Sequence, residues 1–237
     1  MAYDAVGQLT QLTTPTGAVT TFSYDARGLQ TSASNPLNQT ATVVYDDGGQ
    51  LIQQIDAANQ ATSYTYNSAG WLTAITDPLG KTTSYSYDMV GNVTAITDPL
   101  GRTQSIAYNA FNQPTTVTDA AGTAIWFDYD WLGRLTTRGA LSGSMSFEYD
   151  DRGLLVGVTD ALGREVTYAY DSVGRRTKMI DPRNNQTLFA YDAAGRLTTM
   201  TDTLGGVVSY NYDAADQLTS SPSAAPSPTA VATCWAT

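Results

Sequence analysis

Carboxylates are the first candidates for chemistry in this sequence, because the other common catalytic groups are missing. The chain contains no histidine, and its single cysteine is Cys234. Ser-His-Asp and Cys-His nucleophiles are thereby excluded, along with the commonest zinc ligand. Aspartate recurs instead, in two series. Asp25, Asp46, Asp88, Asp130, Asp150, Asp171 and Asp192 each follow a tyrosine, and Asp56, Asp77, Asp98, Asp119, Asp160, Asp181 and Asp202 form the second series, often before proline. As chemistry, these would be calcium ligands or catalytic acids. Asp128, Asp130, Glu148, Asp150 and Asp151 crowd together enough in sequence for an acid-pair hydrolase, which needs two carboxylates at a suitable separation. As structure, each aspartate accepts hydrogen bonds from backbone N–H groups two or three residues on and closes a turn. Recurrence in every unit and the lack of calcium-loop spacing favour turn closure, so no metal, cofactor or catalytic residue is expected.

Trp71, Trp126 and Trp131 are the remaining candidates. Exposed rings of this kind stack on sugars, with turn Asp and Asn accepting hydroxyl hydrogen bonds. The competing reading, which we favour, has them pack against neighbouring elements.

The elements that position these residues follow from one period. Tyr3, Tyr24, Tyr45, Tyr66, Tyr87, Tyr108 and Tyr129 are 21 residues apart, and after one step of 20 the spacing of 21 resumes at Tyr149, Tyr170, Tyr191 and Tyr212. Asp follows each of them except Tyr66 and Tyr108, where Asn67 and Asn109 stand in. A fixed period of this size marks an array of supersecondary units, none able to bury its apolar face alone. In the repeat from Lys81 to Gly101, the run 81–87 is rich in Thr, Ser and Tyr, and the run 92–97 is a second β-prone segment. Turns at 88–91 and 98–101 separate them, which makes each repeat a β-hairpin leading into the next.

Alignment of the repeats tests the turns. The first turn carries Gly7, Gly28, Gly49, Gly70, Gly91, Gly133, Gly153, Gly174 and Gly195, with Asn112 and Asp216 as exceptions. The second carries Gly17, Gly80, Gly101, Gly122, Gly143, Gly163 and Gly205, with Asn38, Asn59 and Asn184 as exceptions. Only Asn and Asp replace Gly, and these residues best tolerate positive φ. Both columns are therefore expected to be left-handed.

Alternation places an apolar or aromatic residue two before each tyrosine, such as Phe22, Tyr64, Tyr85 or Phe189, on the tyrosine's own face. The opposite face is mostly Ser, Thr and Ala. The second strand carries one column at Leu9, Leu51, Leu72, Leu135, Leu155 and Leu197 and another three residues on, at Leu12, Ile75, Ile96, Val158 and Met200. A spacing of three either splits them between faces or marks a bulge. Tyrosine is expected to fall on tyrosine at each period, with the returning strand between them, as a ladder along one face. The beats imply about 21 strands, too many for an open sheet to stay flat as twist accumulates, so a curved or spiral sheet is expected. The 20-residue step lies between Gly143 and Tyr149, with the loss placed in the turn and a local bend expected there.

The array is taken to run over 1–220, followed by a Pro/Ser/Ala-rich flexible tail at 221–237. With a net charge of −10 and no basic run, nucleic acid and anionic membrane are unsuitable partners. No apolar stretch is long enough to span a bilayer, and no signal peptide is evident at the N-terminus.

The motif Tyr-Asp-x-x-Gly-Arg-Leu is plain at Tyr191, Asp192, Gly195, Arg196 and Leu197, and Tyr170, Asp171, Gly174 and Arg175 repeat its core. Tyr24, Asp25 and Gly28, and Tyr87, Asp88 and Gly91, hold the same positions, and Thr-Asp-Pro-Leu-Gly intervenes at 76–80 and 97–101. This resembles the YD repeats of the RHS family, over about nine tenths of the chain. The family includes bacterial polymorphic toxins, insecticidal toxin-complex subunits and teneurins. The resemblance implies an all-β fold of tandem antiparallel hairpins in a shell-like segment, non-enzymatic and from a secreted or cell-surface protein. It also implies partners: further RHS repeats, an enclosed C-terminal toxin not present in this chain, or glycans bound by an adhesive surface. The core segment that follows the repeats in toxin members has no counterpart in this sequence, so the expectation is a wall segment.

Overall fold

The computed structural model describes residues 1–220, and among these every regular element is a β-strand. The stretch 221–237, expected as a tail, lies outside the described residues. The hairpins form two compact units, Met1–Ala124 and the residues from Ile125 onward. Within each unit, strands pair antiparallel in sequence order, as Thr82–Tyr87 with Val93–Thr97 and that strand with Thr103–Tyr108. Among the described residues there are 23 strand segments: 21 antiparallel ones, as the beats imply, and a short separate pair, Asn211–Tyr212 with Leu218–Ser220. Ala2–Tyr3 forms a short strand, and the last first strand is interrupted at Tyr210 into Val207–Ser209 and Asn211–Tyr212.

Register settles the question left by the two apolar columns. Tyr66 lies opposite Leu72 and Thr65 opposite Ala74, so Thr73 is an extra residue in its strand. The same shift recurs at Ser23/Tyr24, Ala107/Tyr108 and Ala169/Tyr170. A bulge of one residue restores both columns to one face: Leu72 opposes Tyr66, and Ile75 opposes Tyr64. The extra position is the recurrent threonine column, and the hydroxyls of Thr73 and Thr198 donate across the hairpin to Thr65 O and Ala190 O, both at 3.1 Å.

The left-handed columns are as read from the sequence. Every glycine of both turn series has positive φ, and so do the Asn and Asp that replace glycine, with Asn38, Asn59, Asn112, Asn184 and Asp216 at 58–62°. At the short repeat, Ala140 pairs directly with Gly143, leaving a two-residue loop of Leu141 and Ser142. The missing residue is thus lost from the loop, and Met145 and Phe147 keep their face opposite Arg138 and Val158.

No apolar side chain among the described residues is fully buried. The fully covered residues are Gly139 and Gly157, on the small-residue face. Hairpins whose described residues bury no apolar side chain fully have no core to hold them together. Their cohesion comes from contacts between adjacent hairpins, as in other repeat arrays.

Candidate functional site: the Tyr-Asp loop edge

Each first turn is a short loop whose geometry follows from the Asp and Gly at its ends. In the loop 25–28, the Gly28 N–H donates to Asp25 O at 3.0 Å and the Asp25 N–H donates to Leu29 O at 2.9 Å. This is a three-residue hairpin loop closed by a left-handed residue. Asp25 Oδ1 accepts the N–H groups of Arg27 and Leu29, both at 2.9 Å. The aspartate therefore reaches the N–H groups two and four residues on, whereas two or three was expected. The third N–H belongs to Gly28 and already bonds the backbone carbonyl. Asn67 does the same through its carbonyl oxygen, to Ala69 and Trp71. The second turns repeat the pattern, as Asp77 with Leu79 and Lys81.

The remaining carboxylate oxygen takes a side chain. Asp130, Asp171 and Asp192 each receive Nε–H of the arginine four residues on, at 2.6–2.7 Å. These bonds fix the acids as anions. At Asp192 the backbone N–H and then the guanidinium of Arg196 hold the carboxyl below the usual carboxylate range. At Asp160 the Arg164 guanidinium leads the same shift. At Asp171 desolvation works the other way, but the backbone and side chain of Arg175 outweigh it and the net direction is down. None of these is placed to act as a general acid near neutral pH.

Arginines also cross to the next repeat. Arg134, Arg152 and Arg175 donate through Nη1 to the backbone O of Asp150, Asp171 and Asp192, at 2.7–3.3 Å. The guanidinium of Arg134 lies 4.8 Å from the centre of the Tyr149 ring, and those of Arg175 and Arg196 lie 4.9 Å from Tyr191 and Tyr212. Successive rungs of the tyrosine ladder are two strands apart, about 9.6 Å, with the returning strand between them. The side chain after the glycine fills the gap.

The tyrosine hydroxyl completes the seam, and no sequence argument assigned it a task. Tyr24 donates to Leu9 O at 2.8 Å, Tyr87 to Leu72 O at 2.6 Å and Tyr170 to Leu155 O at 2.7 Å, each 15 residues back. Tyr191 and Tyr212 reach Arg176 O and Leu197 O in the same way. The acceptor is the first residue of the preceding bulged strand. Burial pushes the Tyr170 phenol up, away from any role as a nucleophile at neutral pH.

The tryptophans fall at separate places. Trp71 occupies the arginine position of its loop, with its ring 5.3 Å from that of Tyr87. It also covers Gly91, where a Cβ would come within 2.9 Å of the indole. Trp126 lies on the small-residue face across Gly139, a covering that only glycine allows, since a Cβ there would sit 2.0 Å from the indole. Trp131 stands at a loop tip and is 88 % exposed. The carboxylates divide likewise. Asp130 and Asp150 are turn-closing anions, while Asp128 and Glu148 sit exposed on the small-residue face, opposite Thr137 and Gly157. Among the described residues no group of His, Cys, Asp and Glu is arranged to hold a metal.

Loops closed by their own aspartate and tied to the next loop through Tyr and Arg define a YD-type hairpin repeat. The comparisons give the family. Residues 40–187 match the Teneurin YD-shell model, and the chain belongs to this family. The RHS Repeat model matches residues 3–40 and 191–223 on either side. No curated protein matches the chain. Among solved structures, TcdB2-TccC3 is similar with a TM-score of 0.61 at 16 % identity, covering 92 % of this chain and 16 % of that one. TcdB2-TccC3 without its hypervariable C-terminal region aligns with a TM-score of 0.56 at 15 % identity, over 91 % of this chain and 16 % of that one. A Photorhabdus luminescens Tc holotoxin pore carrying a TccC3 mutation gives 0.53 at 15 % identity, over 89 % and 15 %. The chain thus spans about one sixth of the length of these chains, and the likeness is one of fold.

Proposed function

We propose that the chain is a non-enzymatic wall segment of a YD-repeat shell, a single array over 1–220 that curves with its accumulated twist. The observation that supports it most is the commitment of the motif's chemical groups to the repeat itself. Aspartate closes the loop, arginine neutralises it and bridges to the next, and the tyrosine hydroxyl bonds the preceding strand. A secreted or cell-surface location is part of the proposal, as are its partners: further repeats of the same kind and a C-terminal toxin enclosed by the complete shell. Small-angle scattering of the full chain tests the wall reading. A single-layer strip gives a radius of gyration well above about 18 Å, the value for a compact domain of this length. A value near that figure contradicts it. A hydrolase activity lost in Asp128→Asn or Glu148→Gln would contradict the non-enzymatic part.

The exposure of Trp131 favours one second reading, an adhesive surface for glycans with Trp126 and Trp131 as stacking platforms. Trp71, packed on Tyr87, is the weakest of the three candidates. Glycan-array binding that survives Trp126→Ala and Trp131→Ala counts against this site.

A further inference from the structure

One patch of the small-residue face departs from its columns. At one fixed register of the hairpins a serine faces a threonine, as Ser63 with Thr76, Ser84 with Thr97, Ser105 with Thr118 and Ser146 with Thr159. At the same register Trp126 faces Gly139. Two residues further along the face, Asp128 opposes Thr137, and in the next hairpin Glu148 opposes Gly157. The equivalent places hold Thr65 with Ala74 and Ser86 with Ala95. The large side chains need the glycines. A Cβ at 139 would overlap the indole of Trp126, and one at 157 would stand 3.3 Å from Glu148 Oε2. Glycine inside a strand weakens it and marks a close approach. The serine–threonine hairpins fold on the same plan without this exchange, so the repeat itself does not call for it.

Trp126 covers Gly139 fully and is itself 37 % exposed, so one face of the indole lies on backbone and the other is open. Asp128 and Glu148 are exposed and, among the described residues, share no hydrogen bond or ion pair with the chain. The turn aspartates differ, since backbone N–H groups and arginine occupy their oxygens. We propose that this patch binds a neutral, β-linked oligosaccharide of the glucose type. One pyranose stacks on Trp126, and its neighbours donate hydroxyl hydrogen bonds to Asp128 and Glu148. A pyranose with only equatorial hydroxyls shows C–H groups on its faces, which suit an open aromatic ring, and turns its O–H groups outward to carboxylate acceptors. β linkages extend such a chain as a flat ribbon along the sheet. By backbone register Trp126 and Glu148 are two strands and four residues apart, roughly 17 Å, more than one sugar ring spans. Two free carboxylates, on a chain of net charge −10, turn away uronates and sulfated sugars. The inference rests on the glycan-binding reading and deepens it, naming the sugar class and assigning the platform to Trp126 instead of the loop-tip Trp131.

Isothermal titration of the full chain with cellohexaose tests the site. Binding is expected, at least about tenfold tighter than to hexagalacturonate. Trp126→Ser restores the serine of the other hairpins, so its circular dichroism should match that of the unaltered chain, while cellohexaose binding should weaken by about tenfold or more. Trp131→Ala should leave that binding within about twofold. Gly139→Ala keeps the tryptophan but displaces its ring, and should weaken binding as well. Asp128→Asn should narrow the gap between the two sugars several-fold. Absence of cellohexaose binding, equal affinity for hexagalacturonate, or binding that survives Trp126→Ser overturns the inference. Glycan binding lost in Trp131→Ala and kept in Trp126→Ser overturns this platform while leaving an adhesive surface in place, whereas a chain that binds no glycan on an array loses both.

Discussion

The two units share one backbone plan but couple their repeats with different chemistry. In Met1–Ala124, the residue after the first-turn glycine is mostly neutral. Gln8 and Gln50 donate to Gly28 O and Gly70 O, Asn92 donates to Asn112 Oδ1, and Trp71 stacks on Tyr87. From Ile125 onward the same place is held mainly by Arg134, Arg175 and Arg196, each paired with its aspartate and lying over the next tyrosine. Where leucine takes that position, at Leu29 and Leu154, an arginine at the loop tip substitutes. Arg27 and Arg152 pair with Asp25 and Asp150 and reach Asp46 O and Asp171 O, both at 2.7 Å. The array conserves the bridge between loops and not the residue that makes it. It follows that the first unit should be held by shape and the second by charge.

The largest effect expected is on shape. Gly80→Ala meets only the left-handed backbone, at φ 76° with nothing near its Cβ, and should cost about 1 kcal/mol. Gly91→Ala adds a collision with Trp71 and should cost about 2 kcal/mol or more in chemical denaturation. Adding Trp71→Ala should recover the difference; equal costs for the two alanines would remove shape from the account.

Charge comes next. Arg175→Met should lower the thermal midpoint by about 2–4 °C at low salt, and the loss should shrink in about 1 M salt. Trp71→Leu in the first unit should show no such salt dependence. Acid should separate the units in the same direction. Asp130, Asp150, Asp160, Asp171 and Asp192 titrate below the usual carboxylate range when folded, against Asp25, Asp88 and Asp98 in the first unit. A lowered pKa means the unfolded chain binds protons first. The stability these groups contribute is therefore complete above the ordinary carboxylate range and is lost as pH falls through and below it. Hydrogen exchange below about pH 4 should open the loops of the second unit before those of the first.

The period, the hairpins and both left-handed columns were legible because they are local. A turn that needs positive φ selects Gly, Asn or Asp at one position, and repetition makes that selection visible. The bulge was only half legible: the spacing of Leu72 and Ile75 demanded either a bulge or a face change, and only the pairing partners of Tyr64 and Tyr66 decide between them. The seam was not legible. Tyr87 reaches Leu72 O because two strands and a register shift bring them together, and no residue type marks a backbone carbonyl. The arginine bridge did leave a trace, since arginine moves to the loop tip where leucine stands after the glycine, at Arg27-Gly28-Leu29 and Arg152-Gly153-Leu154. Trp71 fits the reading that tryptophans pack on neighbouring hairpins, whereas Trp131 contributes no such packing at its exposed tip.

The central claim is that the motif's tyrosine is a coupling device between repeats, and its hydroxyl isolates that role. Tyr168 and Tyr170 lie on one face of one strand, both partly buried, but only Tyr170 donates to a carbonyl of the preceding strand. Removal of one oxygen from each is the most direct comparison. Tyr170→Phe should lose about 1 kcal/mol in urea denaturation, and Tyr168→Phe should lie within about 0.5 kcal/mol of the unaltered chain. Equal losses, or a neutral Tyr170→Phe, would contradict the account.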